Sequence, residues 1–153
     1  MKPTISPAGS GRQIRVGPNV ITYRTTTTDS DGRIGVIDYQ VGPGFVAPSV
    51  LHWHTKESWT GYLFEGRLRF RFAEGEPEEI GAGTVIHVPA RCPFAWENAS
   101  ADQPAHILFM YTPGGFESYF ADIADLFARN PGKGVPDLLS QIMEIAAKYG
   151  IEH

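Results

Sequence analysis

The chain has 153 residues, of which 42% are hydrophobic and 20% charged, and its formal net charge is -4. This length predicts one domain around one core, and the acidic balance argues against binding to nucleic acid or to an anionic membrane. No apolar run is long enough to cross a bilayer, and no signal peptide is visible. The single cysteine, Cys92, permits no intrachain disulfide and fits a reducing compartment. We therefore expect a cytoplasmic protein.

The first part of the chain shows the alternation and turn spacing that are typical of β-strands. Residues 1–14 are polar and rich in Pro, Gly and Ser, and they predict a flexible lead-in. A β-prone stretch runs from Val20 through the threonines to Thr28, and residues 34–41 alternate as a second strand. Further strands are predicted at residues 52–54, 62–64, 67–72, 80–89, 94–97 and 105–112. The short, regular spacing of turns favours an antiparallel sandwich or barrel.

The period of the apolar residues changes in the last quarter of the chain. Apolar side chains recur at helical spacing from Phe116 to Phe127, and a second helix is predicted from about Pro136 to Gly150. The helical tail thus covers residues 116–150. We expect its helices to cover one end of the sheet or a neighbouring subunit.

Two histidines, His52 and His54, are the first candidate functional residues. On a strand, residues two apart point to the same face, so the two imidazoles lie side by side. Such a pair is the start of a metal site or of an acid/base site.

Several motifs around this pair resemble those of a known family. The first motif is Gly44, Pro48, His52-Trp53-His54 and Tyr62-Leu63-Phe64-Glu65-Gly66; the second is Gly81-Ala82-Gly83, Val88-Pro89-Ala90-Arg91 and Asn98; the tail 112–117 and the end 148–152 are also similar. The chain resembles the cupins, particularly single-domain bacterial cupins related to quercetin dioxygenases. The resemblance implies a mainly β fold, a cupin-type antiparallel β-barrel (double-stranded β-helix or jelly roll) with two C-terminal helices. It implies one domain over residues 1–153, with the barrel motifs at 34–112.

The resemblance also implies where a metal would be held. In the family, two histidines and a glutamate of the first motif and a histidine of the second usually bind the ion. His52 and His54 match the first two positions, but the glutamate position falls on Trp59 and the second histidine position on Phe94. Indole and phenyl rings offer no lone pairs to a divalent ion. We therefore expect no metal cofactor, or at most a transition metal held weakly by His52 and His54.

Four other side chains are candidates for replacement ligands. Glu57 lies near the bend after His54, and we expect it on the surface. His87 is expected to be a satisfied interior histidine, His106 to face outward, and His153 to be disordered.

The replacements predict an apolar pocket. Trp59 adds bulk where the family has a carboxylate, and Gly61, on the same face, removes bulk. An interior with His52 and His54 as its polar groups suits an apolar or aromatic ligand that carries one or two oxygens. The residues predicted to line it are Trp59, Gly61, Leu63, Phe94, Trp96 and Met110. The alternative is that these side chains only fill a small barrel.

Three functions remain open. The first is a metal-independent small-molecule enzyme (a cyclase, isomerase, dehydratase or lyase) in which His52 or His54 is the general acid or base. The second is a non-catalytic cupin that binds a small molecule. The third is a metal-dependent, quercetinase-like dioxygenase with a degenerate site. The resemblance further implies a homodimer.

Overall fold

The computed structural model describes residues 3–47 and 51–153; Pro48 of the first motif lies outside the described residues. The strands are β1 Gln13–Val16, β2 Asn19–Thr25, β3 Gly35–Val41, β4 Trp53–His54, β5 Ser58–Glu65, β6 Arg67–Phe72, β7 Glu78–Gly81, β8 Val85–Val88, β9 Phe94–Asn98, β10 Ala105–Thr112 and β11 Ile151–Glu152. The helices are α1 Thr27–Ser30, α2 Glu117–Arg129 and α3 Val135–Lys148.

The strands form two main antiparallel layers. The larger sheet has the order β1-β2-β3-β10-β5-β8, and the smaller has the order β7-β6-β9. A third sheet, β11-β4, has only two short strands. The core lies between the layers, where Ile37, Leu63, Phe70 and Ile107 are fully buried. The predicted class, mainly antiparallel β with two C-terminal helices, is confirmed.

Two predicted segments in the first half of the chain, one strand and the lead-in, were wrong in extent. The threonine run does not continue the strand to Thr28, because Thr26 caps helix α1: its backbone N–H donates to the Asp29 carboxylate at 2.8 Å and its hydroxyl accepts from the Asp29 N–H. This reciprocal capping box satisfies N–H groups that the start of a helix leaves without an intrahelical partner. The lead-in is also shorter than residues 1–14, since β1 begins at Gln13 and pairs with β2.

The single strand predicted at 80–89 is two strands in different sheets. β7 pairs with β6, and β8 pairs with β5. Gly83, with φ +87°, lies in the turn between them, in the left-handed region that glycine enters without a steric penalty. The glycines that suggested a tight start to one strand therefore mark a crossing between the layers.

The helical tail was correctly predicted, but the strand after it was not. α2 and α3 fall within residues 116–150, and β11 then pairs antiparallel with β4, with Ile151 opposite His54. The backbone N–H of Thr55 also donates to the Gly150 carbonyl at 2.8 Å. None of the helices in the described parts of the chain is long and apolar enough to span a bilayer.

A buried carboxylate fixes the start of helix α2 to helix α1. Glu117 is 2% exposed and accepts hydrogen bonds from the backbone N–H and the hydroxyl of Thr27 and from the N–H of Gly115. A buried charge is tolerated only where such donors surround it. The same residue's backbone carbonyl accepts from the Tyr23 hydroxyl at 2.9 Å.

We expect Glu117→Ala to lower the free energy of unfolding by about 2 kcal/mol, because it leaves several partly buried donors without an acceptor. Urea unfolding followed by circular dichroism measures this. Ser118→Ala, at an exposed position of the same helix, is the matched control and is expected to change little. Equal stability of the two variants would show that the carboxylate does not hold the helix in place.

Candidate functional site

A cavity of about 470 Å³ lies between the two sheets and the C-terminal helices. Trp59, Phe109 and Tyr111 reach it from the large sheet, and Phe94 and Trp96 from the small one. Helices α2 and α3 close one side with apolar side chains. Lys133 is the one permanently charged side chain among the described residues that line it. A cavity of this size and composition is typical of a site for a small apolar molecule.

His52 and His54 both line this cavity, as the alternation predicted. They are 6% and 5% exposed, and their ring centroids are 5.7 Å apart. The backbone of His52 exchanges two hydrogen bonds with that of Phe94, at 3.0 and 2.8 Å, while β11 pairs with His54. The histidine segment is therefore held by the small sheet at one residue and by the end of the chain at the other.

Glu57 is buried behind His54, and the prediction that it lies on the surface was wrong. The residue is 4% exposed, and its Oε1 is 2.6 Å from His54 Nδ1. The three-residue spacing across a tight bend brings the carboxylate back onto the ring. A long acidic side chain is normally expected outside, and only the presence of a buried imidazole partner reverses that expectation here.

The Glu57 contact decides which nitrogen of His54 can act in the cavity. With Glu57 ionised, Nδ1–H donates to the carboxylate, so Nε2 carries the lone pair. His54 lines the cavity and Glu57 does not, so the imidazole stands between the carboxylate and the cavity. This is the arrangement in which a carboxylate orients a general base and stabilises the imidazolium that forms.

Three of the six predicted pocket residues line the cavity. Trp59, Phe94 and Trp96 are on its wall, with the rings of Trp59 and Phe94 5.2 Å apart. The Phe94 ring lies 4.3 Å from that of His52. These two aromatic residues thus pack against each other beside the histidines.

The other three are placed differently. Gly61 and Leu63 face inward on β5 but are covered: a Cβ at Gly61 would lie 2.9 Å from the Ile107 side chain, and Leu63 is fully buried. The bulk that Gly61 lacks is supplied by Ile107, so no pocket opens there. Met110 lies on the opposite face of β10, because its neighbours Phe109 and Tyr111 are the buried ones.

The predictions for the remaining histidines had mixed outcomes. His153 lines the cavity with its ring 6.1 Å from that of His52, so the expectation of disorder was wrong. His87 is exposed on the outer face, where its Nδ1 lies 2.9 Å from the Thr60 hydroxyl, and is not an interior residue. His106 is partly exposed and pairs with Asp38 at 2.6 Å.

The residues present do not form the metal site that the resemblance would imply. Across residues 3–47 and 51–153, no group of three or more His, Cys, Asp or Glu side chains is placed to hold an ion. Trp59 and Phe94, beside the histidines, offer no lone pairs, and the buried Glu57 is engaged with His54 Nδ1. Divalent transition metals in proteins normally need three or four donors.

Three tyrosines on the cavity wall were missed by sequence reasoning: Tyr39, Tyr111 and Tyr119. Burial raises the pKa of Tyr119 to about 12. Burial also raises the pKa of Tyr111 well above its ordinary value, and the neighbouring Tyr39 phenol and Glu57 carboxylate add to the effect. The alternation of β10 carries the signal for Tyr111, since an outward Met110 places Tyr111 inside.

Residues 37–111 match the family described as the cupin domain, and no curated protein sequence is detectably similar to the chain. Among solved structures, KdgF from Halomonas sp. has a TM-score of 0.63 at 13% identity, over 76% of this chain and 99% of that one. An RmlC-like cupin from Shewanella frigidimarina NCIMB 400 has a TM-score of 0.62 at 13% identity, over 76% and 96%.

The polyketide cyclase RemF from Streptomyces resistomycificus has a TM-score of 0.60 at 19% identity, over 73% of this chain and 80% of that one. At these identities the likeness establishes the fold alone. The fold is the cupin jelly roll, as predicted, and the domain match covers its central strands.

The buried phenols predict an unusual alkaline titration. Because burial raises the pKa of Tyr23 and Tyr119 to about 12 and that of Tyr39 and Tyr111 higher, we expect most of the six tyrosines to stay protonated near pH 10.5 in the folded protein; that pH is roughly the upper end of the usual phenol range. Phenolate absorbance, compared with that of the guanidinium-unfolded chain, measures this.

The same shifts determine how stability changes with pH. The unfolded chain loses phenol protons first, so the free energy of unfolding falls as pH rises above about 10. Full ionisation at about pH 10.5 with native circular dichroism would contradict the burial described here.

Proposed function

We propose that the protein is a metal-independent enzyme of the cyclase, isomerase, dehydratase or lyase type, which acts on an apolar or aromatic metabolite with His54 as general base. The observation that carries the proposal is the 2.6 Å contact between Glu57 Oε1 and His54 Nδ1 at the back of the cavity. His52 is the neighbouring polar group on the same wall.

The burial of the Glu57–His54 pair supports a catalytic use. A core gains nothing from burying a carboxylate and an imidazole together, since their desolvation offsets the attraction between them. In a general base, the same pair presents a lone pair on Nε2 and stabilises the positive charge after proton transfer. A positioned base of this kind contributes about 10²–10⁴ in rate.

The walls of the cavity support an apolar substrate. Trp59, Phe94 and Trp96 offer ring faces on which a flat carbon skeleton stacks. Such walls fix the orientation of the substrate and exclude water. RemF, which shares the fold, is named a polyketide cyclase, and that class of substrate agrees with an aromatic cavity.

The proposal includes independence from metal. It is supported by Trp59 and Phe94 at the positions where the family's carboxylate and second imidazole are expected. The residues that could bind a metal in the described structure give no comparable support to the dioxygenase alternative. The binding-protein alternative keeps the cavity but leaves the buried Glu57–His54 pair without a use.

We expect His54→Ala to lose at least a hundredfold in turnover and Glu57→Gln at least tenfold, because the first removes the base and the second its orienting charge. Turnover is measured by mass spectrometry of a metabolite extract of the source cells, as the appearance of isomeric or dehydrated products. The control is His106→Ala, which breaks a histidine–carboxylate contact of equal length on the outer face. Unaltered co-purified ligand and no conversion by the wild type would favour the binding protein.

We expect turnover to survive dialysis against a chelator, and we expect metal analysis of untagged protein to find less than a stoichiometric amount of iron, manganese, nickel or zinc. The physical reason is that two imidazoles alone hold such ions weakly. A tightly held, stoichiometric metal, or activity that is lost with chelation and restored by one ion, would end the metal-free proposal.

A further inference from the structure

We propose that Tyr111 and Tyr119 bind the oxygen atoms of the ligand by donating hydrogen bonds, so that the substrate of this site is a cyclic ketone or a related carbonyl compound. The inference rests on the proposed function, because it assigns the substrate class for the same cavity and the same base. It adds two residues that touch substrate and that neither motif contains.

The hydroxyls of Tyr111 and Tyr119 are groups on the cavity wall that can still donate a hydrogen bond to a ligand. Tyr111 is 3% exposed, and within the described residues its hydroxyl and that of Tyr119 make no hydrogen bond. Every fully buried side-chain nitrogen or oxygen in the same residues has a partner. Because the Tyr111 oxygen is unbonded, it is not fully buried and a water-sized molecule can reach it. Since the residue is only 3% exposed and lines the cavity, that access is from the cavity.

The neighbouring Tyr39 differs from Tyr111 and Tyr119 because its hydroxyl already has a partner within the protein. Its hydroxyl accepts from the Asn19 amide at 3.1 Å, so part of its capacity is used inside the protein. Tyr111 and Tyr119 have no such donor or acceptor within residues 3–47 and 51–153. A buried polar group without a partner costs free energy, and a ligand oxygen supplies the missing acceptor.

The phenols are donors at working pH and not anions. Burial raises the pKa of Tyr119 to about 12 and that of Tyr111 above the ordinary range, so both keep their protons. A neutral phenol in an apolar cavity favours an acceptor oxygen. The Glu57 carboxylate behind His54 disfavours a bound carboxylate anion at this end of the cavity, which points to a neutral carbonyl.

Tyr111 is placed to act together with His54. Their rings are parallel within 6°, with centroids 6.4 Å apart, and the Phe116 ring packs on both, at 4.8 and 4.3 Å. A carbonyl oxygen and the hydrogen on the adjacent carbon are separated by a few bonds. The carbonyl oxygen of a single ligand can therefore accept a hydrogen bond from the Tyr111 hydroxyl while its adjacent C–H faces His54 Nε2.

The reaction that this pair supports is enolisation. The lone pair of His54 Nε2 takes the hydrogen, the C–H electron pair becomes a carbon–carbon double bond, and the carbonyl π pair moves onto oxygen. The products are an imidazolium and an enolate whose charge the Tyr111 O–H stabilises. Return of the proton to the same or to another carbon restores the neutral imidazole and completes exchange or isomerisation.

The test uses α-tetralone, a benzo-fused cyclic ketone, and tetralin, the same skeleton without the oxygen. Binding is followed by quenching of tryptophan fluorescence, since Trp59 and Trp96 line the cavity. We expect the wild type to bind the ketone about tenfold more tightly than the hydrocarbon, as one or two buried hydrogen bonds imply. We expect Tyr111→Phe combined with Tyr119→Phe to bind both equally while its thermal midpoint changes little.

Tyr62→Phe is the control, because Tyr62 is an exposed phenol on the outer face of β5. It should keep the full preference for the ketone. No preference in the wild type, binding of neither compound, or a preference that survives in the double variant would overturn the inference.

Deuterium uptake at the carbon next to the carbonyl, in heavy water, separates this inference from the proposed function. We expect His54→Ala to keep the preference for the ketone and to lose the exchange, and the tyrosine double variant to lose both. Ketone preference without exchange in the wild type supports the phenol site and contradicts the role of the base. Exchange that is unchanged by removal of both phenols contradicts the phenol site and leaves the base in place.

Discussion

The structure depends on how one buried carboxylate is satisfied. Glu57 sits inside the barrel, and the only described side chain to which it bonds is His54. That contact fixes the ring, and the ring's other nitrogen is left to the cavity. Much of the surrounding architecture serves to hold this segment: Phe94 pairs with the backbone of His52, and β11 pairs with His54. Removing the carboxylate would therefore change the chemistry of the cavity before it changed its shape.

The cavity combines two kinds of wall. Trp59 and Phe94 contribute apolar area beside the histidines. The polar groups on its wall are the histidines and the phenols of tyrosines on other elements. The chemistry that we propose for this site is proton transfer assisted by hydrogen bonds, which are stronger in an apolar enclosure than in water.

The sequence predicted the fold better than the site, for reasons that particular residues show. Strand β10 and the helices follow from period and turn signals, which are local. Glu57 could not be placed from such signals, because a glutamate near a bend is normally solvated and only its tertiary partner buries it. His153 was missed for a similar reason: the pairing of β11 with β4 joins residues about a hundred positions apart. The homodimer and the cytoplasmic location stay predictions.

The glycine at position 61 has a consequence for how such a cavity can change. The room it leaves is occupied by the side chains of Ile107 and Ile86 and not by ligand. Shortening Ile107 would leave empty space beside Gly61, at a cost of about 2–5 kcal/mol for a buried Ile→Ala change. Room for added bulk at this point of β5 therefore exists only at the expense of core packing.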